Sequence, residues 1–95
     1  MLKVLIADDE EKICQLIIKL INWEEMGLKI AATASNGIEA LEQAKICKPE
    51  ILITDIRMPG IDGMELIRKV KEKLPDTEII IISGYRHFEY AQTAI

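Results

Sequence analysis

The sequence is poor in the features that mark secreted, membrane-bound and DNA-binding chains. Two cysteines, Cys14 and Cys47, are too few for a disulfide framework and lack the spacing of a metal site, so we expect buried reduced thiols. No apolar run has the length needed to cross a bilayer, and Asp8 ends the apolar start before a signal peptide core could form. A net charge of −4 gives no basic surface for DNA or an anionic membrane. The chain by itself is therefore expected to be cytoplasmic, with no binding to DNA or membrane.

The glycine-rich phosphate loops of the common nucleotide-binding folds are also missing. The chain contains neither G-x-G-x-x-G nor a P-loop, which disfavours a Rossmann or P-loop nucleotide site. It has 95 residues, of which 49% are apolar and 29% charged, a composition typical of a folded domain. Residues 1–95 are therefore predicted to form a single domain.

Apolar residues recur first with the spacing of a strand and then with that of a helix, and this sequence of patterns repeats along the chain. Mostly apolar runs predict strands at Lys3–Ala7, Ile51–Thr54 and Glu78–Ile82, and the partly alternating stretch Leu28–Thr33 predicts a strand nearer an edge of the sheet. A helix is predicted after each strand, and each helix has an apolar face that is expected to pack inward. These faces are Ile13, Leu16, Ile17 and Leu20 in the first helix, Ile38, Leu41 and Ala44 in the second, Ile67, Val70 and Leu74 in the third, and Phe88, Ala91 and Ile95 in the last. This order of elements predicts a parallel sheet with helices on both faces.

Two of the predicted helices begin with a capping pattern. Asn36 is followed three residues later by Glu39, and Asp62 is followed in the same way by Glu65. A side chain that accepts a hydrogen bond from the first turn stabilises a helix start. We therefore expect the second and third helices to begin at these residues.

Acidic side chains follow two of the predicted strands at the point where each strand ends. Asp8 and Asp9 come directly after the first strand, and Asp55 comes directly after the third. Because the carboxyl ends of neighbouring parallel strands meet at one edge of the sheet, we expect these carboxylates to lie close together. Two carboxylates ~5 Å apart repel by roughly 3 kcal/mol at an effective dielectric constant of about 20. The sequence therefore predicts a site for a hard cation such as Mg²⁺, and Ser83, at the end of the fourth strand, is suited to the same edge.

These residues together resemble the receiver domain of bacterial two-component response regulators over the whole chain. The resemblance rests on Asp8-Asp9, on Thr54–Gly63 and on Ser83-Gly84-Tyr85. It implies a flavodoxin-like, doubly wound parallel sheet with strand order 2-1-3-4. The subset of receivers fused to an AraC-type helix-turn-helix DNA-binding domain is indicated by three further stretches, Trp23–Gly27, Ala34–Gly37 and Ser83–Ala91.

The resemblance implies a phosphoryl acceptor with a metal beside it. Asp55 is expected to attack the phosphoryl group of a phosphohistidine on a sensor histidine kinase. Mg²⁺ is expected to be bound directly by Asp9 and Asp55 and by the backbone carbonyl of Arg57, with Asp8 acting mainly through water. The metal would offset the repulsion between these carboxylates and the incoming phosphoryl group.

The remaining phosphoryl contacts are also implied by the resemblance. Ser83 is expected to donate its hydroxyl group to a phosphoryl oxygen, and Ile56 and Gly84 are expected to donate backbone N–H groups. A protein of this kind is not an enzyme in the usual sense, because it takes part in its own phosphorylation and dephosphorylation.

The resemblance stops before the last elements of a receiver. Receivers usually continue into a fifth strand, which carries a lysine that contacts the phosphoryl group, and a fifth helix, and no residue here matches that lysine. The chain is therefore expected to be a C-terminally truncated receiver that acts on DNA only through a missing effector domain. Self-association is also expected, because the Ile79–Ile82 run would form an open sheet edge and the first helix has a second apolar side, made of some combination of Cys14, Ile18 and Ile21.

Two other functions compete with the phosphoacceptor. The same fold without the chemistry would be a non-phosphorylated interaction or dimerisation module, which the missing lysine strand favours. A Mg²⁺-dependent phosphatase or nuclease could use the same carboxylates, but the sequence offers no separate general acid. Retention of Asp8, Asp9, Asp55 and Ser83 favours the phosphoacceptor.

Overall fold

Four parallel strands and three α-helices make up most of residues 1–82, the part of the chain that the computed structural model describes. The strands are β1 (Leu2–Ala7), β2 (Leu28–Ala34), β3 (Ile51–Asp55) and β4 (Glu78–Ile82), and the helices are α1 (Glu11–Leu20), α2 (Gly37–Cys47) and α3 (Gly63–Lys73). A short 3₁₀ turn at Glu24–Met26 leads into β2. The predicted strands and first three helices are confirmed, and the predicted last helix, with Phe88, Ala91 and Ile95, lies outside the described residues.

The strand order is β2-β1-β3-β4, which confirms the predicted doubly wound arrangement. Each pair of neighbouring strands is parallel. The core cluster on one face of the sheet brings α2 and α3 together, and the cluster on the other face includes Cys14 of α1. The strands therefore lie between two helical layers, and their carboxyl ends meet at one edge.

Burial on both faces explains why the central strand β1 is almost continuously apolar. Val4, Leu5, Ile6 and Ala7 are each fully buried. Leu5 and Ala7 pack in the cluster beneath α2 and α3, whereas Val4 and Ile6 pack in the cluster on the α1 side. Successive side chains of a strand point to opposite faces, so a strand covered on both faces needs apolar residues at every position.

The predicted inward face of α1 is wrong in part. Leu16 and Leu20 are 51% and 72% exposed, whereas Cys14, predicted for a second side, is 5% exposed and faces the sheet with Ile17. Ile18 is 36% exposed, as expected for an uncovered side. Apolar residues occupy more than half of the circumference of this helix, so its periodicity alone does not determine which stripe meets the sheet.

The predicted inward faces of α2 and α3 are right in part, since Ala44 and Val70 are buried as predicted. Ile38 is 53% exposed, and the buried positions of α2 include Ala40 and Ala44. In α3 the buried apolar residues are Leu66 and Val70, and the predicted Ile67 and Leu74 are half-buried. Small alanines let α2 approach the sheet closely, and this leaves the larger Ile38 at the rim.

Both capping predictions are confirmed. The Asn36 side chain accepts a hydrogen bond from the Glu39 N–H at 2.8 Å, and the Asp62 side chain accepts one from the Glu65 N–H at 2.9 Å. Each bond satisfies an N–H group that the first turn of a helix cannot pair internally. The caps fix where α2 and α3 begin.

The predictions about the two cysteines and about membrane-spanning segments can be compared with the structure of residues 1–82. Cys14 and Cys47 are both free thiols, but only Cys14 is buried and Cys47 is half-buried, so the second is less enclosed than predicted. Burial is the main cause that raises the pKa of both thiols above its usual value. Within residues 1–82, no helix is long and apolar enough to span a bilayer.

Candidate functional site

The register between the two central strands places the acidic residues side by side. Ala7 of β1 is the partner of Thr54 of β3, so Asp8 and Asp55 are the next residues along two neighbouring strands. Parallel strands in register keep successive residues level with one another. The predicted proximity of Asp8 and Asp55 therefore follows directly from the pairing of β1 with β3.

Hydrogen bonds hold Asp8 in place on both its backbone and its side chain. Its N–H donates to the Ala34 carbonyl at 3.0 Å, which extends the β1–β2 pairing by one residue. Its carboxylate accepts a hydrogen bond from the Glu10 N–H at 2.9 Å. This local turn, in which an aspartate accepts from the residue two positions on, sets the direction of the chain as it enters α1.

Asp55 is oriented in a similar way at the end of β3. Its Oδ1 accepts a hydrogen bond from the Ile56 N–H at 2.7 Å. Its backbone carbonyl accepts one from the hydroxyl group of the buried Thr54 at 2.8 Å. The residue that follows Asp55 therefore orients its carboxylate, and the residue that precedes it holds its backbone.

The three predicted carboxylates form one cluster. One carboxylate oxygen from each of Asp8, Asp9 and Asp55 lies within 4.8 Å of the other two. Asp8 is 4% exposed and Asp55 is 9% exposed, whereas Asp9 is open to solvent. The cluster thus combines two buried carboxylates with one that incoming ions can reach.

The pKa of Asp8 shows the electrostatic cost of this arrangement. The pKa is raised from 3.8 to about 6, mainly by burial and further by the neighbouring charges of Asp55 and Asp9, and the hydrogen bond from Glu10 partly opposes this rise. A buried group among like charges favours its neutral form. A bound cation would favour the ionised form instead, and carboxylate oxygens are suitable ligands for a hard ion such as Mg²⁺.

An open pocket of about 400 Å³ lies beside the cluster. It is lined by Asp9 and by the chain that follows Asp55, namely Ile56, Arg57, Met58, Pro59, Asp62 and Met64. Arg57 is exposed and immediately follows Ile56, so its backbone runs along the edge of the pocket. The predicted residues Asp8, Asp9, Asp55, Ile56 and Arg57 are thus brought together, and Ser83 and Gly84 lie outside the described residues.

The segment Arg57–Asp62, which we call the β3–α3 loop, is anchored at its end by Gly63. The Gly63 N–H donates to the Ile56 carbonyl. A side chain at Gly63 would collide with the backbone of Asp55, because its Cβ would lie 2.1 Å from the Asp55 carbonyl oxygen. Only glycine allows the start of α3 to approach the end of β3 so closely. The sequence pattern located the start of α3 but not this reason for a glycine there.

Comparison with known families identifies the kind of domain that carries this cluster. Residues 4–95 match the family described as the response regulator receiver domain. The chain belongs to this family. Receiver domains bind Mg²⁺ at an acidic pocket, and in this receiver Asp8, Asp9 and Asp55 form an acidic cluster at the edge of the sheet.

Individual relatives support the assignment over the full length of the sequence. The receiver is 44% identical over 95 residues to YesN of Bacillus subtilis, described as an uncharacterized transcriptional regulatory protein, and covers 26% of that protein. The structure of the REC domain of AraT, a response regulator from Geobacillus stearothermophilus, is similar with a TM-score of 0.95 and 44% identity, covering 98% of this chain and 72% of that one. A two component transcriptional regulator AraC from Clostridium phytofermentans gives a TM-score of 0.90 at 38% identity, covering 100% of this chain and 74% of that one.

These comparisons confirm both the predicted receiver family and the flavodoxin-like fold. They also confirm the resemblance to transcriptional response regulators of the AraC type. Receiver domains of response regulators interact with histidine kinases and effector domains, and they are generally not enzymes in the usual sense. The receiver spans about a quarter of the length of YesN, so what a whole regulator does is a matter for proposal.

Proposed function

We propose that Asp55 accepts a phosphoryl group from the phosphohistidine of a sensor histidine kinase. The proposal rests on the position of Asp55, which ends a central strand within 4.8 Å of Asp8 and Asp9 at an open pocket. In the reaction a carboxylate oxygen of Asp55 forms a bond to phosphorus while the bond from phosphorus to the kinase imidazole nitrogen breaks. The protein is the acceptor of the group and assists its own phosphorylation.

The acidic cluster supports a role for Mg²⁺ in this transfer. Asp9, Asp55 and the backbone carbonyl of Arg57 would hold the ion directly, and Asp8 would act mainly through water. Bound Mg²⁺ would neutralise part of the negative charge that the cluster shares with the incoming phosphoryl group. The oxygen donors and their charge suit this ion, since Mg²⁺ is usually held by carboxylates together with substrate phosphates.

The other phosphoryl contacts remain part of the proposal. The hydroxyl group of Ser83 and the backbone N–H groups of Ile56 and Gly84 would each donate to a phosphoryl oxygen. The Ile56 N–H donates to the Asp55 carboxylate in the present structure, so contact with a phosphoryl group would require this bond to be exchanged. A short backbone adjustment beside the acceptor would allow this exchange.

Phosphate uptake by the Asp55→Asn variant tests the proposal. The parent protein is incubated with a small phosphodonor and Mg²⁺, and intact-mass measurement is expected to show one added phosphoryl group that hydroxylamine removes. Asp55→Asn should not gain it, because an amide oxygen is a poor nucleophile for this transfer. Asp62→Asn is the matched control, since it changes an exposed aspartate of the same pocket to another good cap. Equal labelling of Asp55→Asn and the parent would contradict the proposal.

For the whole regulator, we propose that phosphorylation controls a DNA-binding effector domain and that the protein is cytoplasmic. The relatives include transcriptional regulators, which supports a role in transcription. The acidic net charge of −4 gives this receiver no basic surface of its own for DNA. Binding to DNA would therefore depend on the effector domain.

A second candidate function, self-association, is favoured by exposed apolar side chains. Leu16 and Leu20 on α1 are 51% and 72% exposed, and Ile80 on β4 is 49% exposed. Within the described residues β4 lies at the end of the sheet. Exposed strands and contiguous apolar surface are common features of protein interfaces.

A further inference from the structure

The first turn of α2 packs directly against the β3–α3 loop that borders the acidic pocket. If Gly37 carried a side chain, its Cβ would lie 1.8 Å from the backbone oxygen of Ile61 and 2.9 Å from the Ile61 Cβ. The Gly37 N–H also points to the Pro59 carbonyl, at 3.5 Å. Gly37 thus lies in backbone contact with the loop without any side chain between them.

The neighbouring residue of α2 makes a second contact with the same loop. The Cδ1 atom of Ile38 lies 3.2 Å from the position that a Cβ of Gly60 would occupy. Gly60 has a positive φ of 81°, a conformation that favours glycine. Ile38 is 53% exposed, so its place at the rim of α2 is explained by contact with the loop rather than by burial in the core.

The loop has only limited freedom to move away from this contact. Met58 is 8% exposed and packs in the core cluster beneath α2 and α3, and Ile61 packs against the same cluster. Gly63 anchors the end of the loop to Ile56. A side chain at Gly37 that displaces Ile61 would therefore act on a short segment that begins at Arg57.

We propose that Gly37 is a positioning residue for the metal site, acting through the β3–α3 loop on the Arg57 backbone carbonyl. The inference rests on the proposed function, in which that carbonyl is a ligand of Mg²⁺. Real Cβ atoms essentially never come within 3.0 Å of such a neighbour, so any side chain at Gly37 must separate the loop from α2 by more than an ångström. Changes that disturb the support of a metal ligand typically weaken metal affinity by about 10- to 100-fold.

Magnesium titration of Gly37→Ala tests this assignment. Calorimetric titration of the parent comes first, because a parent that does not bind Mg²⁺ would contradict the proposed function itself. Given binding by the parent, we expect Gly37→Ala to bind Mg²⁺ about tenfold more weakly. The matched control is Ala44→Gly, a change of similar size at a buried residue two turns further along the same helix. The control is expected to lower stability while leaving the affinity within about twofold of the parent.

A second measurement needs no metal at all. In the metal-free proteins, the amide chemical shifts of Arg57, Gly60 and Ile61 should change in Gly37→Ala and change much less in Ala44→Gly. Equal Mg²⁺ affinity in Gly37→Ala and the parent, or unchanged shifts in the loop, would overturn the inference. If Gly37→Ala does not fold, Ile38→Ala takes its place, because it removes an exposed side chain and should still loosen the loop and weaken Mg²⁺ binding. Parent-like affinity in Ile38→Ala would then overturn it.

Discussion

Asp8 carries an electrostatic cost in the folded protein. It is 4% exposed, and its pKa is raised to about 6 by burial first and then by the charges of Asp55 and Asp9. The folded protein therefore holds a proton on Asp8 at pH values where the unfolded chain has lost it. Between about pH 4 and pH 6 this extra proton favours the folded state, and its contribution is lost as the pH rises through 6.

We predict that the metal-free protein becomes more stable as the pH falls from neutral to mildly acidic. With a chelator present, urea denaturation should give a free energy of unfolding about 1 kcal/mol higher near pH 5.5 than near pH 7.5. The Asp8→Asn variant should lack this part of the pH dependence, since an amide does not titrate. Identical pH dependence in the two proteins would show that Asp8 titrates normally.

The acidic residues could be placed from the sequence, whereas the glycines that support them could not. Asp8 and Asp55 each follow an apolar run, and the meeting of strand ends in a parallel sheet is general. The contacts of Gly37 and Gly63 depend on how closely a helix approaches a particular loop or strand end. That distance is set by packing of the whole domain, and the local pattern carries no signal for it beyond the presence of a glycine.

At the scale of elements, the starts of α2 and α3 were predictable because their causes are local. A side chain at the cap contacts a backbone group three residues away, so Asn36 with Glu39 and Asp62 with Glu65 are sufficient information. The face that a helix buries could not be predicted in this way, because it depends on packing against the rest of the domain. Ile38 was expected inward and lies at the rim, because α2 packs on the sheet through Ala40 and Ala44 while Ile38 contacts the β3–α3 loop.

We predict that each cap contributes about 1 kcal/mol to the free energy of unfolding. Asn36→Ala and Asp62→Ala should both lower it by about this amount in urea denaturation, since each leaves an N–H group of the first turn without its partner. Asn36→Asp should retain most of the stability, because aspartate caps equally well. Glu72→Ala, which removes only an exposed ion pair with Arg68, is a control expected to change little. A loss as small as that of the control would show that the cap hydrogen bonds contribute little.

At the scale of the molecule, exposed apolar side chains occur on the α1 side of the sheet. Leu16, Leu20 and Ile80 are each about half or more exposed. Ile80 shares its face of β4 with Ile82, which packs against the cluster that contains Cys14 of α1. The strand order itself was obtained from the family resemblance, because right-handed crossovers alone permit more than one order of four parallel strands.

We predict that the 95-residue chain self-associates at micromolar concentration through this side of the molecule. Burial of apolar surface contributes roughly 25 cal/mol per Å², so covering a few hundred Å² stabilises an assembly by several kcal/mol. Sedimentation equilibrium should show dimers or larger species for the parent and a shift toward monomer for Ile80→Lys, because a lysine on β4 both adds charge and discourages strand pairing. Ile46→Lys is the matched control, since Ile46 is 74% exposed on α2, on the other face of the sheet. A monodisperse parent monomer with cooperative unfolding and slow amide exchange in β4 would contradict this prediction. The free-energy cost of the exposed apolar side chains would then have to be offset by interactions within the single chain.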